Sequence, residues 1–206
     1  MIRSRLFAAI LLVVGLGAQV ARADDEGFGR SGPYLAVGAS RALNLFEQYL
    51  DSEPLLSDIQ VDDTWGVNAR AGYRLTSWFA LEGEYEWLDG LDAHIGSIGS
   101  RIGVQTATAN FRLIAPLGRF QPYFLGGAGA VFLNASGDLG LEVANTAFAG
   151  RVGLGIDVYL TKSIFLNAGA EAMLTNARVS LTTPFGSVSE NGLGTLTFQA
   201  GFGYRF

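Results

Sequence analysis

The last twelve residues of the chain, TLTFQAGFGYRF, alternate with period two. Leu196, Phe198, Ala200, Phe202, Tyr204 and Phe206 fall on one face; Thr195, Thr197, Gln199, Gly201, Gly203 and Arg205 fall on the other. Successive side chains of a strand point to opposite faces, so this is a strand with one continuous apolar face. The same alternation recurs upstream. Segments near 32–42, 63–75, 78–88, 101–114, 120–133, 144–160, 163–174 and 193–206 read as strands. Most are well above the five or six residues usual in globular proteins and match the roughly 9–11 that a strand needs to cross hydrocarbon.

The N-terminus sets the compartment. Arg3 and Arg5 precede the apolar run LFAAILLVVGLGAQV, and Ala21-Arg22-Ala23 follows it. A basic start, a short apolar stretch and an A-x-A site read as a secretory signal peptide over residues 1–23, followed by a short lead, 24–31. The run is short of the roughly 20 residues of a membrane-spanning helix, and no second apolar run of that length follows. Yet 49% of the residues are hydrophobic. Only helices and closed barrels satisfy every backbone group in lipid, so the expected fold over 32–206 is all-β: an eight-stranded antiparallel up-and-down transmembrane β-barrel. The chain has no cysteine, so no disulfide staples it.

Connections alternate in length. Thr76-Ser77, the APLGR stretch and Thr161-Lys162 are short; 43–62, 89–100, 134–143 and 175–192 are read as long loops. Short periplasmic turns alternating with longer external loops are the rule in such barrels and place both ends of the barrel on the short-turn side. Tyr73, Trp78, Phe120, Tyr123, Tyr159, Tyr204 and Phe206 lie beside short turns or at the end of the last strand, and Trp65, Tyr85 and Trp87 beside long loops. They are read as two membrane-interface girdles. Parity leaves segment five, PYFLGGAGAVFL, open, because both its faces are apolar.

With the signal peptide removed, 11 of the 14 basic residues remain against 19 acidic ones, an acidic balance that argues against nucleic acid as a partner. Parity turns Arg70, Arg74, Arg112, Arg151 and Arg205 inward with Glu82, Glu84, Glu86, Asp157 and Glu171. Five charges of each sign in a lumen only wide enough for side chains are expected to pair and close it. Across the Thr76-Ser77 turn the expected partners are Arg74 with Glu82 or its neighbour, and Arg70 with Glu84 or Glu86; Arg151 is expected to meet Glu171, with Arg205 joining from the last strand. The competing reading of the same charges is an ion path or proton relay.

Three other stretches carry suggestive residue types. His94, with Ser97, Ser100, Asp89 and Asp92, contains the residue types of a nucleophilic hydrolase, but the stretch has the composition of a solvated loop. Glu47, Asp51, Glu53, Asp58 and Asp62, followed by Asp63, form an acidic loop without the spacing of a cation-binding loop. Within it, Leu43, Phe46, Tyr49 and Leu50 share a stripe that suits a short amphipathic helix at the barrel mouth. The glycine runs at 126–129 and 150–157 open no helix and read as strand glycines, not phosphate loops. No catalytic constellation, metal site or cofactor is expected.

SGPYLAVGAS, FQPYFLGGAGA and the terminal FGYRF resemble the small outer-membrane β-barrel family that includes the OmpA transmembrane domain, the opacity-type proteins and OmpW-like proteins. The resemblance covers 32–206. It implies an outer-membrane location, contact with lipid and lipopolysaccharide, and a last strand read by the barrel-assembly machinery, with Phe198, Phe202, Tyr204 and Phe206 as the assembly signal. Nothing matches the peptidoglycan-binding domain of OmpA, so cell-wall tethering is not implied. The expected function is a monomeric structural or surface-interaction barrel that meets its ligands through its loops. The alternatives are a narrow porin-like channel for small solutes and a lipid-modifying enzyme.

Overall fold

A computed structural model describes residues 27–44, 60–61, 64–95, 98–137, 141–143, 146–183 and 186–206. Eight long strands follow one another: β1 (Gly32–Asn44), β2 (Thr64–Thr76), β3 (Phe79–Ile95), β4 (Ile98–Ile114), β5 (Phe120–Gly137), β6 (Thr146–Tyr159), β7 (Ile164–Thr183) and β8 (Gly186–Arg205). Each pairs antiparallel with the next, and β8 pairs back onto β1 from Tyr34↔Arg205 to Asn44↔Thr195. The sheet is therefore a closed barrel with no free edge, the arrangement in which every ladder group is satisfied. Two short pieces, Gln60–Val61 and Leu141–Val143, add to β3 and β7.

The period-two sequence is the period-two burial. Along β2, residues alternate buried and exposed from Thr64 to Tyr73, apart from the half-buried Gly72. Arg70 and Arg74 are buried while Trp65, Val67 and Tyr73 are exposed. The charged residues lie inside and the large exposed apolar ones on the outer wall, the reverse of a soluble barrel. Segment five is settled: Gln121, Tyr123, Leu125, Val131 and Leu133 face inward, while Phe120 and Phe132 face out.

Two expectations are corrected. The stretches read as loops at 89–100 and 175–192 are largely hairpin: β3 and β4 stay paired to Ile95↔Ile98, and β7 and β8 to Thr183↔Gly186. Beyond the lipid neither face must be apolar, so the alternation fades while the ladder continues. His94 accordingly sits on a strand opposite Gly99 and Gln60; its side chain, and those of Asp92, Ser97 and Ser100, lie outside the described residues. Leu43, read as the first residue of a helical stripe, belongs to β1 opposite Leu196. Phe46, Tyr49, Leu50 and the acidic residues Glu47, Asp51, Glu53, Asp58, Asp62 and Asp63 lie outside the described residues.

Candidate functional site: the barrel lumen

The lumen is filled in three layers. At the short-turn end lies an aromatic floor of Phe28, Tyr34, Tyr123, Tyr159 and Phe165, backed by Ile114 and Leu125. Tyr159 and Phe165 stack at 5.2 Å between centroids, and Phe28 meets Tyr159 at 5.9 Å. Inward glycines make room for the rings: a Cβ on Gly155 would overlap Tyr123, and one on Gly203 would overlap Phe165. Tyr123 and Tyr159, read from sequence as girdle residues, are each 4% exposed and belong to this floor. Proximity to a turn suggested the interface, but Tyr159 shares the parity of Arg151 and Asp157, and that decides its side.

All ten inward charges are at most 4% exposed; eight fill the middle layer, and Arg74 and Arg205 lie against the floor. Arg112 bridges Asp157 at 2.8 Å and Glu82 at 3.5 Å, with its guanidinium 3.6 Å from the centre of the Tyr123 ring. Tyr34 donates its hydroxyl to Glu82 at 2.6 Å. Arg151 is the hub: it reaches Glu84 at 2.8 Å, Glu86 at 3.0 Å and Glu171 at 3.1 Å, and donates to Thr106. Asn110 donates to Glu84, and Gln199 to Glu171. Charged groups taken out of water need such partners on every side.

The expected local pairs of Arg70 and Arg74 do not form. Arg70 stands opposite Glu84 in the ladder, yet its guanidinium donates to Asn167 at 2.5 Å, and Glu84 goes to Arg151. Arg74 caps the floor, donating to Gln121 at 2.6 Å and to the carbonyls of Phe28, Thr76 and Ser77. Arg205 likewise donates to the carbonyls of Phe28, Gly27 and Lys162. Side chains stand roughly perpendicular to the sheet, so in a narrow barrel long ones meet tip to tip near the axis, not along the wall. The expected Arg151–Glu171 contact is present. Sequence parity places Asn167 on the polar face of its strand with Glu171 but assigns it no partner, and it gives no role to Tyr34, Gln121 or Phe28.

Above the charges, Ala42, Leu88, Val104, Val131, Leu133, Ala147, Ala149 and Met173 form an inward apolar collar. On the outside, Trp65, Tyr73, Trp78, Tyr85 and Trp87 are exposed, as are Phe198, Phe202, Tyr204 and Phe206. Arg41 lies over the Trp65 ring at 5.6 Å.

Residues 8–206 match the family described as the outer membrane protein beta-barrel domain. The chain belongs to that family. No curated protein matches it in sequence. Among solved structures it is similar to the outer membrane protein OprG from Pseudomonas aeruginosa, at 14% identity over 86% of this chain and 97% of that one, with a TM-score of 0.57. AlkL, solved in DMPC lipid bilayers, matches at 18% identity over 86% and 90%, with a TM-score of 0.59. Outer Membrane Protein W of E. coli matches at 16% over 85% and 98%, with a TM-score of 0.50. At these identities the likeness is one of fold. Members of the family are small outer-membrane barrels with diverse roles, and this one combines their wall with a lumen filled from floor to collar.

Proposed function

We propose that this barrel is a closed outer-membrane scaffold, with its short turns in the periplasm, that displays its far-end hairpins to lipopolysaccharide or a surface ligand and does not conduct. The observation that carries the reading is the filled lumen: eight buried charges between an aromatic floor and an apolar collar, with Arg74 and Arg205 bound to the floor itself. Eight strands leave space for side chains and little more. The hairpin β3–β4, paired as far as Ile95↔Ile98, supplies a stiff projection of the kind that display needs. In planar bilayers the folded chain is expected to give no resolved current steps; steady single-channel steps would overturn the reading.

A narrow channel is the second reading, and one observation favours it. Arg70 Nε and Nη1, the Tyr123 hydroxyl and Asn167 Nδ2 find no partner among the described residues. Buried polar groups without protein partners are commonly served by water, and a file of water is the start of a pore. The same current measurement separates the two.

The outward row Phe198, Phe202, Tyr204 and Phe206 supports a role in recognition by the assembly machinery. Changing Phe206 to aspartate is expected to cut the folded barrel recovered from cells severalfold while leaving refolding into detergent nearly intact. The heat-dependent gel shift reads both, and normal recovery from cells would remove the assembly role.

A further inference from the structure

The turn 160–163, between β6 and β7, gathers three cations. Lys162 is part of it. Arg119, from the turn after β4, donates to the Leu160 carbonyl at 3.4 Å. Arg30 donates to Ser163 Oγ at 3.1 Å and to the Arg205 carbonyl at 3.3 Å. All three side chains are exposed, and a guanidinium or an ammonium has more donors than these bonds occupy. The other exposed cation among the described side chains, Arg41, lies at the far end over Trp65. The turns at 115–119 and 160–163 contain no aspartate or glutamate, and Asp157, just before the second of them, is buried against Arg112.

The cations stand at the end of an apolar wall. Leu117 and Phe120 flank Arg119 in the chain, Leu160 and Ile164 flank Lys162, and these four are 42% to 59% exposed. A free inorganic anion would satisfy the cations and leave the four apolar side chains uncovered. A phospholipid meets both needs, with its phosphate on the cations and its acyl chains on the wall below. A zwitterionic headgroup brings a cation of its own, which this cluster repels; a headgroup of net negative charge does not. The same rim supplies its own contrast. The turn 77–78 lies halfway round the ring of eight strands and carries Ser77 and the exposed Trp78, with no cation. We propose that the 160–163 turn, with Arg119 and Arg30, is a headgroup site for an anionic phospholipid of the periplasmic leaflet. The site rests on the reading of this wall as lipid-facing and of these turns as periplasmic, and it adds which lipid is selected and where on the rim.

Fluorescence of single tryptophans, quenched by brominated lipid, tests it. In the chain from Asp24, Trp65, Trp78 and Trp87 are changed to Phe and Phe120→Trp places a reporter beside Arg119; a second protein keeps Trp78 alone. Each is folded in phosphatidylcholine vesicles that contain an equal minor share of brominated phosphatidylglycerol or brominated phosphatidylcholine. The reporter at 120 is expected to show phosphatidylglycerol enriched about fivefold over its bulk share, the scale of one surface cation acting on an anionic headgroup. Trp78 is expected to be quenched equally by the two lipids. About 0.5 M NaCl should reduce the enrichment, a comparison that needs no further substitution to fold. The triple change Arg30→Gln, Arg119→Gln, Lys162→Gln should abolish it. Equal quenching at 120 by the two lipids would overturn the site and leave the lipid-facing wall standing, whereas no quenching by either would overturn the wall and the site together. An equal enrichment at Trp78, or one that survives the triple change, would overturn the assignment to these cations. Loss of the enrichment when inorganic phosphate is added at constant ionic strength would overturn it as well, by showing a site for free phosphate.

Discussion

Replacing Arg151 with alanine is expected to destabilise the barrel by about 3–5 kcal/mol, the cost of stranding buried charge. Its guanidinium holds three carboxylates, Glu84, Glu86 and Glu171, and no other described arginine is within ion-pair distance of them. Removing it leaves a cluster that must take up protons or water. Urea unfolding in lipid vesicles measures the loss as a lower midpoint. Adding Glu84→Gln to the Arg151 variant should recover part of it, with a coupling of about 0.5–3 kcal/mol. The pair Arg70 and Glu84 provides the contrast: they face each other in the ladder but do not bond, so their coupling should be much smaller. Equal coupling in the two cycles would mean that the lumen is wet enough to screen all of these charges alike.

Arginine in place of Leu154 should cost about 2–4 kcal/mol, the penalty for a cation on the lipid face near the bilayer midplane. Leu154 is 61% exposed, lies near the middle of β6, and stands between Phe124 and Ala170 on the outer wall. In a soluble barrel an exposed leucine tolerates this change within about 0.5 kcal/mol. The unfolding midpoint in vesicles of ordinary thickness decides between them; an unchanged midpoint would mean that this wall does not face hydrocarbon.

The outline of the barrel was legible because lipid imposes one rule on every strand. Parity separated Arg70, Glu84 and Arg151 from Trp65, Val67 and Leu154, and the short turns at Thr76-Ser77 and Thr161-Lys162 announced themselves by breaking it. Parity is a single bit of information per residue, however. It says which side Arg70 takes and nothing of whether Glu84 or Asn167 receives its proton donors. That choice depends on how the strands stagger when the sheet closes, a property of all eight together. Tyr123 and Tyr159 lie near turns yet inside the barrel, because the parity of the strand, not nearness to a turn, decides the side. The hairpin ends at 89–95 and 175–183 were missed because outside the membrane the rule no longer acts. Phe28 gave no signal at all: a lone aromatic between glycines has no period, and its place in the floor follows only from the mouth it fills.

Seven of the eight long seams join strands that are neighbours in sequence, and the eighth brings β8 home to β1. The local hairpins can form early and quickly, whereas the last seam ties together residues as distant as Tyr34 and Arg205. Its entropic cost falls in one step near the end. The Arg151 hub shows what arrives with that step. Glu171 is on the strand next to Arg151, but Glu84 and Glu86 come from β3, three strands away around the wall, and meet it only when the sheet has curled. An open ribbon would thus carry its inward charges with most of their partners missing, so partly built forms are penalised and the chain passes from ribbon to barrel cooperatively, with the final strand as the commitment step.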